Sequence, residues 1–277
     1  MKTFKRNLFY LILLFCLPAV PVSAVPPGNH IMNRELSDKI KADERLNAVS
    51  HKAEKLIESG LNAGDGYIEV WIRDLNTFIE TACKVSDKSK IKVALRTFFI
   101  FQGKDGDIKD GYATKKNALK DYSGYYSDLA PGLTAHKNTV ETDQESSLVQ
   151  AIFKYISCTG DRAFLQEIVD GKTVQQRMGN ALKFLMNERY NNKYGLLWGA
   201  TTADWGDVQP ESPWGVVLDD SSHRCIDIYD NAMFLIAIKN YITLIDSKQE
   251  KSYWTLKHKL IASNTSPVPV TELFFKK

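Results

Sequence analysis

The stretch LNTFIETACKV, residues 75–85, decides the fold class of this chain. Its apolar side chains recur at i, i+3, i+4, i+7 and i+8, and they are Leu75, Phe78, Ile79, Ala82 and Cys83. Residues at this spacing lie along one face of an α-helix. The stretch therefore predicts a helix that buries one face.

The same helical pattern recurs along the chain in pairs. The further predicted helices cover residues 35–59, the region of 91–99, and residues 144–158, 161–188, 229–245 and 249–262. Neither the alternation of a parallel sheet nor a Gly-rich phosphate loop is present, so nucleotide-binding folds are disfavoured. We therefore predict an all-α protein of about seven helices, arranged as helical hairpins.

The connections between the predicted helices alternate in length. Those inside a hairpin are short, whereas those between hairpins run over about 102–142 and 190–226. In a ring of hairpins the long connections all lie at one end, and long irregular loops are usually functional. Because these loops are rich in Tyr, Trp, Asp and Gly, we expect a functional site at that end.

The second long connection has the composition of a carbohydrate site. It contains YGLLW at 194–198 and TADWGDVQPE at 202–211, which together hold two tryptophans and three carboxylates. Tryptophan faces stack on sugar rings, and paired carboxylates cleave glycosidic bonds by acid and base catalysis. The candidate residues are Trp198, Asp204, Trp205, Asp207 and Glu211. The alternative is a solvated, turn-rich acidic loop.

Three further polar junctions precede predicted helices. An aromatic ring, a guanidinium and a carboxylate at 71–74 supply a stacking face and hydrogen-bonding groups for vicinal hydroxyls. The sequences ETDQE at 141–145 and DIYDN at 227–231 have similar character. The candidate binding residues are Trp71, Arg73, Asp74, Glu141, Asp143, Tyr229 and Asp230.

Each junction also has a purely structural interpretation. Asp74 is placed to cap a helix, and Arg73 is placed to pair with an acid. Thr142 and Glu145 have the spacing of a capping box. Spacing alone leaves these alternatives open.

The amino terminus predicts export. Lys2, Lys5 and Arg6 precede an apolar run at 8–17 and the small-residue pattern Val22-Ser23-Ala24, which is typical of a signal peptide cleaved after Ala24. Cleavage lowers the formal charge from +3 to 0. A balanced chain without a basic face argues against nucleic acid or an anionic membrane as partner. We therefore expect a secreted or periplasmic protein.

The cysteines and other ligand types predict no metal or cofactor. Cys83, Cys158 and Cys225 remain after signal removal, without a CxxC pair, so at most one disulfide forms. Cys83 and Cys158 fall on apolar helical faces, which favours buried small hydrophobic residues. No metal-ligand spacing is visible.

The junctions together resemble the landmarks of six-hairpin glycosidases. Trp71 to Asp74, Glu141 to Asp143, the Gly195-Leu196 and Trp205-Gly206-Asp207 elements, and Tyr229 to Asn231 are similar to those of glucoamylase-like enzymes and of the amylo-1,6-glucosidase domain of glycogen-debranching enzymes. The resemblance covers about residues 64–246 and implies an (α/α)6 toroid.

The resemblance also implies chemistry. Arg73 and Asp74 would hold the sugar at the nonreducing end, and Asp207 would be the general acid, with Asp204 and Glu211 as neighbouring catalytic candidates. The implied reaction is hydrolysis with inversion, in which a second carboxylate activates water. The implied substrates are neutral, α-linked oligosaccharides.

The chain departs from a complete toroid because it has too few hairpins, and in these enzymes the general base comes from the later ones. We expect a partial toroid over 35–262, after a signal peptide at 1–24 and a linker at 25–34, with an irregular tail at 263–277 and low activity. The alternatives are a noncatalytic glycan-binding protein and a helical protein-interaction scaffold. A lyase or epimerase has thin support from His223-Arg224.

Overall fold

The computed structural model describes residues 34–62, 64, 66–116, 124–200 and 217–265. These residues divide into two compact units between Ala48 and Val49. The predicted helix over 35–59 is two helices, α1 (Arg34–Lys41) and α2 (Glu44–Ser59), and neither contains a buried residue. The break arises at Asp43, whose carboxylate accepts a hydrogen bond from the Arg45 N–H and so starts a new helix.

The predicted hairpins are present. Their helices are α3 (Ile72–Val85), α4 (Lys88–Ile100), α5 (Gln144–Thr159), α6 (Val174–Phe184), α7 (Ile228–Leu244) and α8 (Lys248–Thr265). Over the described ranges the chain is mainly helical, as expected, but it also contains short antiparallel strands. Each of α3, α5 and α7 is followed by one further α-helix, so the α-helices occur in pairs along the chain, as predicted.

Helices α3, α5 and α7 run parallel to one another. α3 packs on α5, and α5 packs on α7. At the first turns, Arg73 pairs with Asp143 and Tyr229 bonds to Asp143. Further along, Gln150 Nε2 donates to the Met233 carbonyl at 2.8 Å. Because first turns contact first turns and later turns contact later turns, all three helices begin at the same end.

The second helices of the hairpins cover the apolar faces of these three. Trp254 of α8 is fully buried, and its ring lies 6.5 Å from Phe234 and 6.3 Å from Tyr241, both on α7. Phe98 and Phe99 of α4 are buried in the same core. The helical spacing that predicted these elements therefore corresponds to real burial.

The prediction of a continuous helix over 161–188 is wrong. A 3-10 helix (Arg162–Gln166) is followed by the hairpin β4 (Ile168–Val169) and β5 (Lys172–Thr173) before α6 begins, and a π-helical turn (Leu185–Arg189) follows α6. The hairpin turn needs positive φ at Asp170 and Gly171, at 47° and 75°. A capping box then starts α6, since Thr173 and Gln176 cap each other.

Two small sheets stand at the long connections. β1 (Val70–Trp71), β2 (Gly111–Thr114) and β3 (Leu133–His136) form an antiparallel sheet in that order, and β6 (Tyr190–Asn191) pairs with β7 (Leu196–Leu197). β1 continues directly into α3, which starts three residues before the predicted position. The sheet thus fixes the start of α3.

No helix in the described part of the chain combines the length and the apolar character needed to cross a membrane.

Candidate functional site

A buried ion-pair cluster lies where the parallel helices begin. Arg73 Nε donates to both carboxylate oxygens of Asp143, at 2.9 and 2.8 Å, and Arg73 Nη1 lies 2.6 Å from Glu141 Oε1. The side chains of the arginine, glutamate and aspartate are 7%, 3% and 0% exposed. Burial by itself opposes the charge on Arg73, but the two carboxylates raise its pKa above the ordinary value. The guanidinium of Arg73 is therefore held in its charged form by the two acids.

Helix α7 adds a tyrosine and a second aspartate. The Tyr229 hydroxyl donates to Asp143 Oδ2 at 3.0 Å. Asp227 precedes α7 and accepts a hydrogen bond from the Asp230 N–H at 2.7 Å. Burial, together with the charges of Asp227 and Asp143, raises the pKa of Asp230 to about 9. Asp230 is therefore a neutral carboxylic acid at pH 7.

The segment after β7 closes over Asp230. The N–H groups of Gly199 and Cys225 each donate to the other residue's carbonyl at 2.9 Å. A β-carbon on Gly199 would lie 2.7 Å from Asp230 Oδ2. The Thr142 hydroxyl donates to the Trp198 carbonyl at 3.0 Å, which ties the same segment to the start of α5. A side chain at position 199 would therefore force the Asp230 carboxyl to shift.

The three-stranded sheet contributes an aromatic side to the cluster. Trp71 and His136 lie on β1 and β3, with ring centres 4.6 Å apart and ring planes at 68°. His136 Nε2 is 4.0 Å from an Asp110 carboxylate oxygen. Burial lowers the pKa of His136 to about 4, so the imidazole is neutral at pH 7. Trp71 is half-buried and keeps part of its ring accessible.

Trp198 lies between two arginines. The guanidinium carbon of Arg189 is 4.6 Å from the Trp198 ring centre, and that of Arg224 is 5.2 Å away. Cations over an indole face are attracted by its quadrupole. Arg189 is only 5% exposed and also donates to the Thr139 carbonyl. A sugar that stacks on Trp198 must therefore share the ring with these guanidinium groups.

The local capping interpretations are wrong. Asp74 lies within the first turn of α3, and the residue that precedes the helix is Trp71. Asp143 precedes α5 but makes no side-chain cap bond. Glu145 instead accepts from the Ile108 N–H at 2.8 Å and from Lys137 Nζ at 2.9 Å. These polar side chains make long-range contacts in place of local ones.

The structure brings most of the described candidates together. Arg73 contacts both Glu141 and Asp143, and Tyr229 contacts Asp143. Asp230 is buried beside them and bonds to Asp227. Trp71 joins through β1, Asp74 lies half-buried on the same helical turn as Arg73, and Trp198 adjoins the cluster at Thr142. Asp204, Trp205, Asp207 and Glu211 lie outside the described residues.

Sequence reasoning missed His136 and Gly199. His136 reaches the cluster only because β3 pairs with β2 and β2 pairs with β1, and such pairings between distant residues leave no local pattern. Gly199 follows Trp198 immediately, so the Trp-Gly pair next to an aromatic loop was the available signal. Neither residue carries a motif of its own.

The arrangement provides two carboxyl groups in different surroundings. Asp143 is ion-paired with Arg73, whereas Asp230 is protonated at neutral pH. A carboxyl group that keeps its proton at pH 7 is able to act as a general acid. Among the described residues no group of three metal-ligating side chains is placed to hold a metal ion.

No protein-family model matches the chain, and no curated protein matches it.

Proposed function

We propose that this chain is an exported glycoside hydrolase-like protein that takes neutral, α-linked oligosaccharides at the common end of α3, α5 and α7. In this proposal the three hairpins are part of an (α/α)6 toroid, with those helices on the inside. The parallel direction of the three helices supports that arrangement. The reaction is hydrolysis with inversion.

One observation carries the proposal. A buried cluster unites Arg73, Glu141, Asp143 and Tyr229, next to the protonated Asp230, at the end to which the long connections lead. Buried charges of this kind are costly, so they are usually kept for a site rather than for stability.

The contacts divide the roles among the candidates. Glu141 and Asp143 hold Arg73 and also accept hydrogen bonds from Gln144 and Tyr229, so we assign them to positioning. The half-buried Trp71, Asp74 and Tyr229 are assigned to sugar contact, and Trp198, which shares its ring with two arginines, to the edge of the site. These assignments refine the list of binding residues without adding a cofactor.

The general acid is assigned to Asp207 through the family resemblance, with Trp205, Asp204 and Glu211 beside it. Asp230 is the second proton donor to consider, because its raised pKa keeps a proton available at pH 7. A protonated carboxyl that donates to a leaving oxygen is the general acid of such hydrolyses.

The test measures binding and turnover separately. Thermal unfolding of the exported chain is followed with millimolar neutral oligosaccharides, and product release is measured with the sugar that raises Tm. We expect Asp207→Asn to keep the Tm shift and to lower the hydrolysis rate by about 100-fold or more. Asp230→Asn tests the second donor, and Asp246→Asn, an exposed aspartate after α7, is the matched control. The proposal fails if no oligosaccharide shifts Tm and none is cleaved.

A noncatalytic glycan-binding protein is the second candidate. It is favoured by the closure of Arg73 on two carboxylates, which leaves the buried acids engaged with protein groups. In that case a sugar raises Tm, Asp207→Asn leaves the shift unchanged, and no glycan yields product.

A further inference from the structure

Two cysteines that are distant in sequence meet at the other end of α3 and α5. Cys83 lies in the last turn of α3, and Cys158 is the residue before the last in α5. The Cys158 thiol lies close enough to Cys83 to help raise the pKa of the Cys83 thiol. Both are free thiols in this structure. Their meeting follows from the parallel packing of α3 on α5 and not from any sequence motif.

The surroundings of the two thiols differ. Cys83 is half-buried, whereas Cys158 is exposed, so the prediction that both are buried small hydrophobic residues is wrong for Cys158. The side chain of Lys154, one turn before Cys158, donates at 2.7 Å to the carbonyl of Asn76, which lies two turns before Cys83, and this bond ties the two helices together. The thiols are therefore juxtaposed by a packed helix pair, with one of them open to solvent.

We propose that Cys83 and Cys158 form a disulfide that cross-links α3 to α5 when the protein meets a disulfide oxidant. The Cys158 thiolate attacks the oxidant R–S–S–R, forms a mixed disulfide and releases one RS⁻. Cys83 loses its proton to water and attacks the Cys158 sulfur, which releases the second RS⁻. The two cysteines are oxidised by two electrons, and the oxidant is reduced to two thiols.

The exposed Cys158 sets the order of these steps, because the oxidant reaches it first. Burial and the adjacent Cys158 raise the pKa of Cys83 to about 12. The second step, which needs the Cys83 thiolate, therefore accelerates as pH rises.

Cys225 provides an internal control. It is exposed like Cys158, but it lies before α7 at the start of the helices, paired through its backbone with Gly199. Any pairing that depends on thiol exposure alone would include Cys225. Pairing that depends on the folded geometry excludes it.

The experiment treats the reduced full chain with oxidised glutathione and identifies disulfide peptides by mass spectrometry. We expect the native wild type to yield a peptide linking Cys83 to Cys158, with a mass lower by about 2 Da. The oxidised chain should unfold about 5–10 °C above the reduced one, because a cross-link restricts the unfolded state. Cys83→Ser should instead retain glutathione on Cys158, and Cys225→Ser should behave as the wild type.

Two results would overturn the proposal. One is a native wild-type chain in which Cys83 and Cys158 stay separately modifiable after prolonged oxidation. The other is a native chain in which Cys225 also forms disulfides, in the same proportions as in a chain that is oxidised in urea. Because the wild type alone decides between these results and the expected one, a serine variant that fails to fold does not affect the outcome.

Discussion

The two ends of helices α3, α5 and α7 are built differently. At the starting end, Arg73, Glu141 and Asp143 form a buried ion-pair cluster beside the protonated Asp230. At the finishing end, α5 stops at Gly160, whose φ of 75° lets its N–H bond to the Ile156 carbonyl. One end keeps buried charge, and the other is closed by a local cap.

The comparison shows that packing these helices does not require buried charge. Among the described residues, the ion pairs of the starting end are almost fully buried, whereas Lys92 pairs with Asp161 and Glu167 at the other end with all three side chains partly exposed. Replacing a buried ion pair by apolar residues is often neutral or stabilising, so the cluster is weak support for stability and better support for a site. The contrast is therefore the main physical argument for placing function at the starting end.

Arg73→Met should produce the largest loss of stability at pH 7, because it leaves the carboxylates of Glu141 and Asp143 buried without their cation. We expect a loss of about 3–5 kcal/mol in the free energy of unfolding. The measurement is urea unfolding at pH 7.

Arg162→Met is the control at the finishing end. Arg162 is exposed, and its side chain donates to the Leu244 carbonyl at 3.0 Å, so its loss should cost about 1 kcal/mol or less. Equal losses at the two ends would contradict the contrast between them.

Asp230→Asn should change how stability depends on pH. The pKa of Asp230 is about 9 in the folded protein and about 3.9 unfolded, so its stabilising effect is complete below pH 4 and is lost as pH rises towards 9. The amide resembles the protonated acid and does not titrate. Relative to wild type, the variant should therefore gain up to about 1.4 kcal/mol per pH unit across this window.

Denaturant midpoints at pH 5 and pH 8 measure this gain. Asp246→Asn at the finishing end should show the same difference from wild type at both values. A pH-independent difference for Asp230→Asn would mean that the buried carboxyl is ionised throughout.

His136→Gln should give a smaller effect of opposite sign. The pKa of His136 is about 4 when folded and about 6.5 unfolded, so the unfolded chain binds the extra proton between these values. The wild type therefore loses stability as pH falls from 6.5 towards 4, by about 3 kcal/mol at most. The glutamine variant lacks this loss.

Unfolding at pH 4.5 and pH 7 tests the histidine prediction, with His258→Gln on α8 as the control. The contrast between the ends is supported if only the His136 variant loses less stability than the wild type between pH 7 and pH 4.5. A histidine that titrates normally in the folded chain would leave the two variants alike.

Periodicity predicted the helices well and the site contacts only in part. The stripe from Leu75 to Cys83 corresponds to a real buried face because helix spacing is local. The alternative that Arg73 pairs with an acid is confirmed, but its partners are Glu141 and Asp143, far along the chain. No local pattern could identify them.

The failures have the same physical origin. Thr142 and Glu145 have the spacing of a capping box, but they bond to distant groups. Thr142 donates to the Trp198 carbonyl, and Glu145 accepts from the Ile108 N–H and from Lys137. β1, β2 and β3 were not predicted because their pairing depends on residues separated by long loops. Sequence reasoning was therefore reliable where the interaction was close in sequence, and it failed where distant groups competed.

The π-helical turn at Leu185–Arg189 sets the helical phase at the end of α6. A π turn accommodates one residue more than the α-helical turn it replaces. Removing one residue would rotate the next part of the chain by about 100° about the helix axis. Arg189 would then swing away from the Trp198 ring and the Thr139 carbonyl that it now joins. Deletion of the uncharged Asn187 would therefore break the contacts through which Arg189 joins the two long connections.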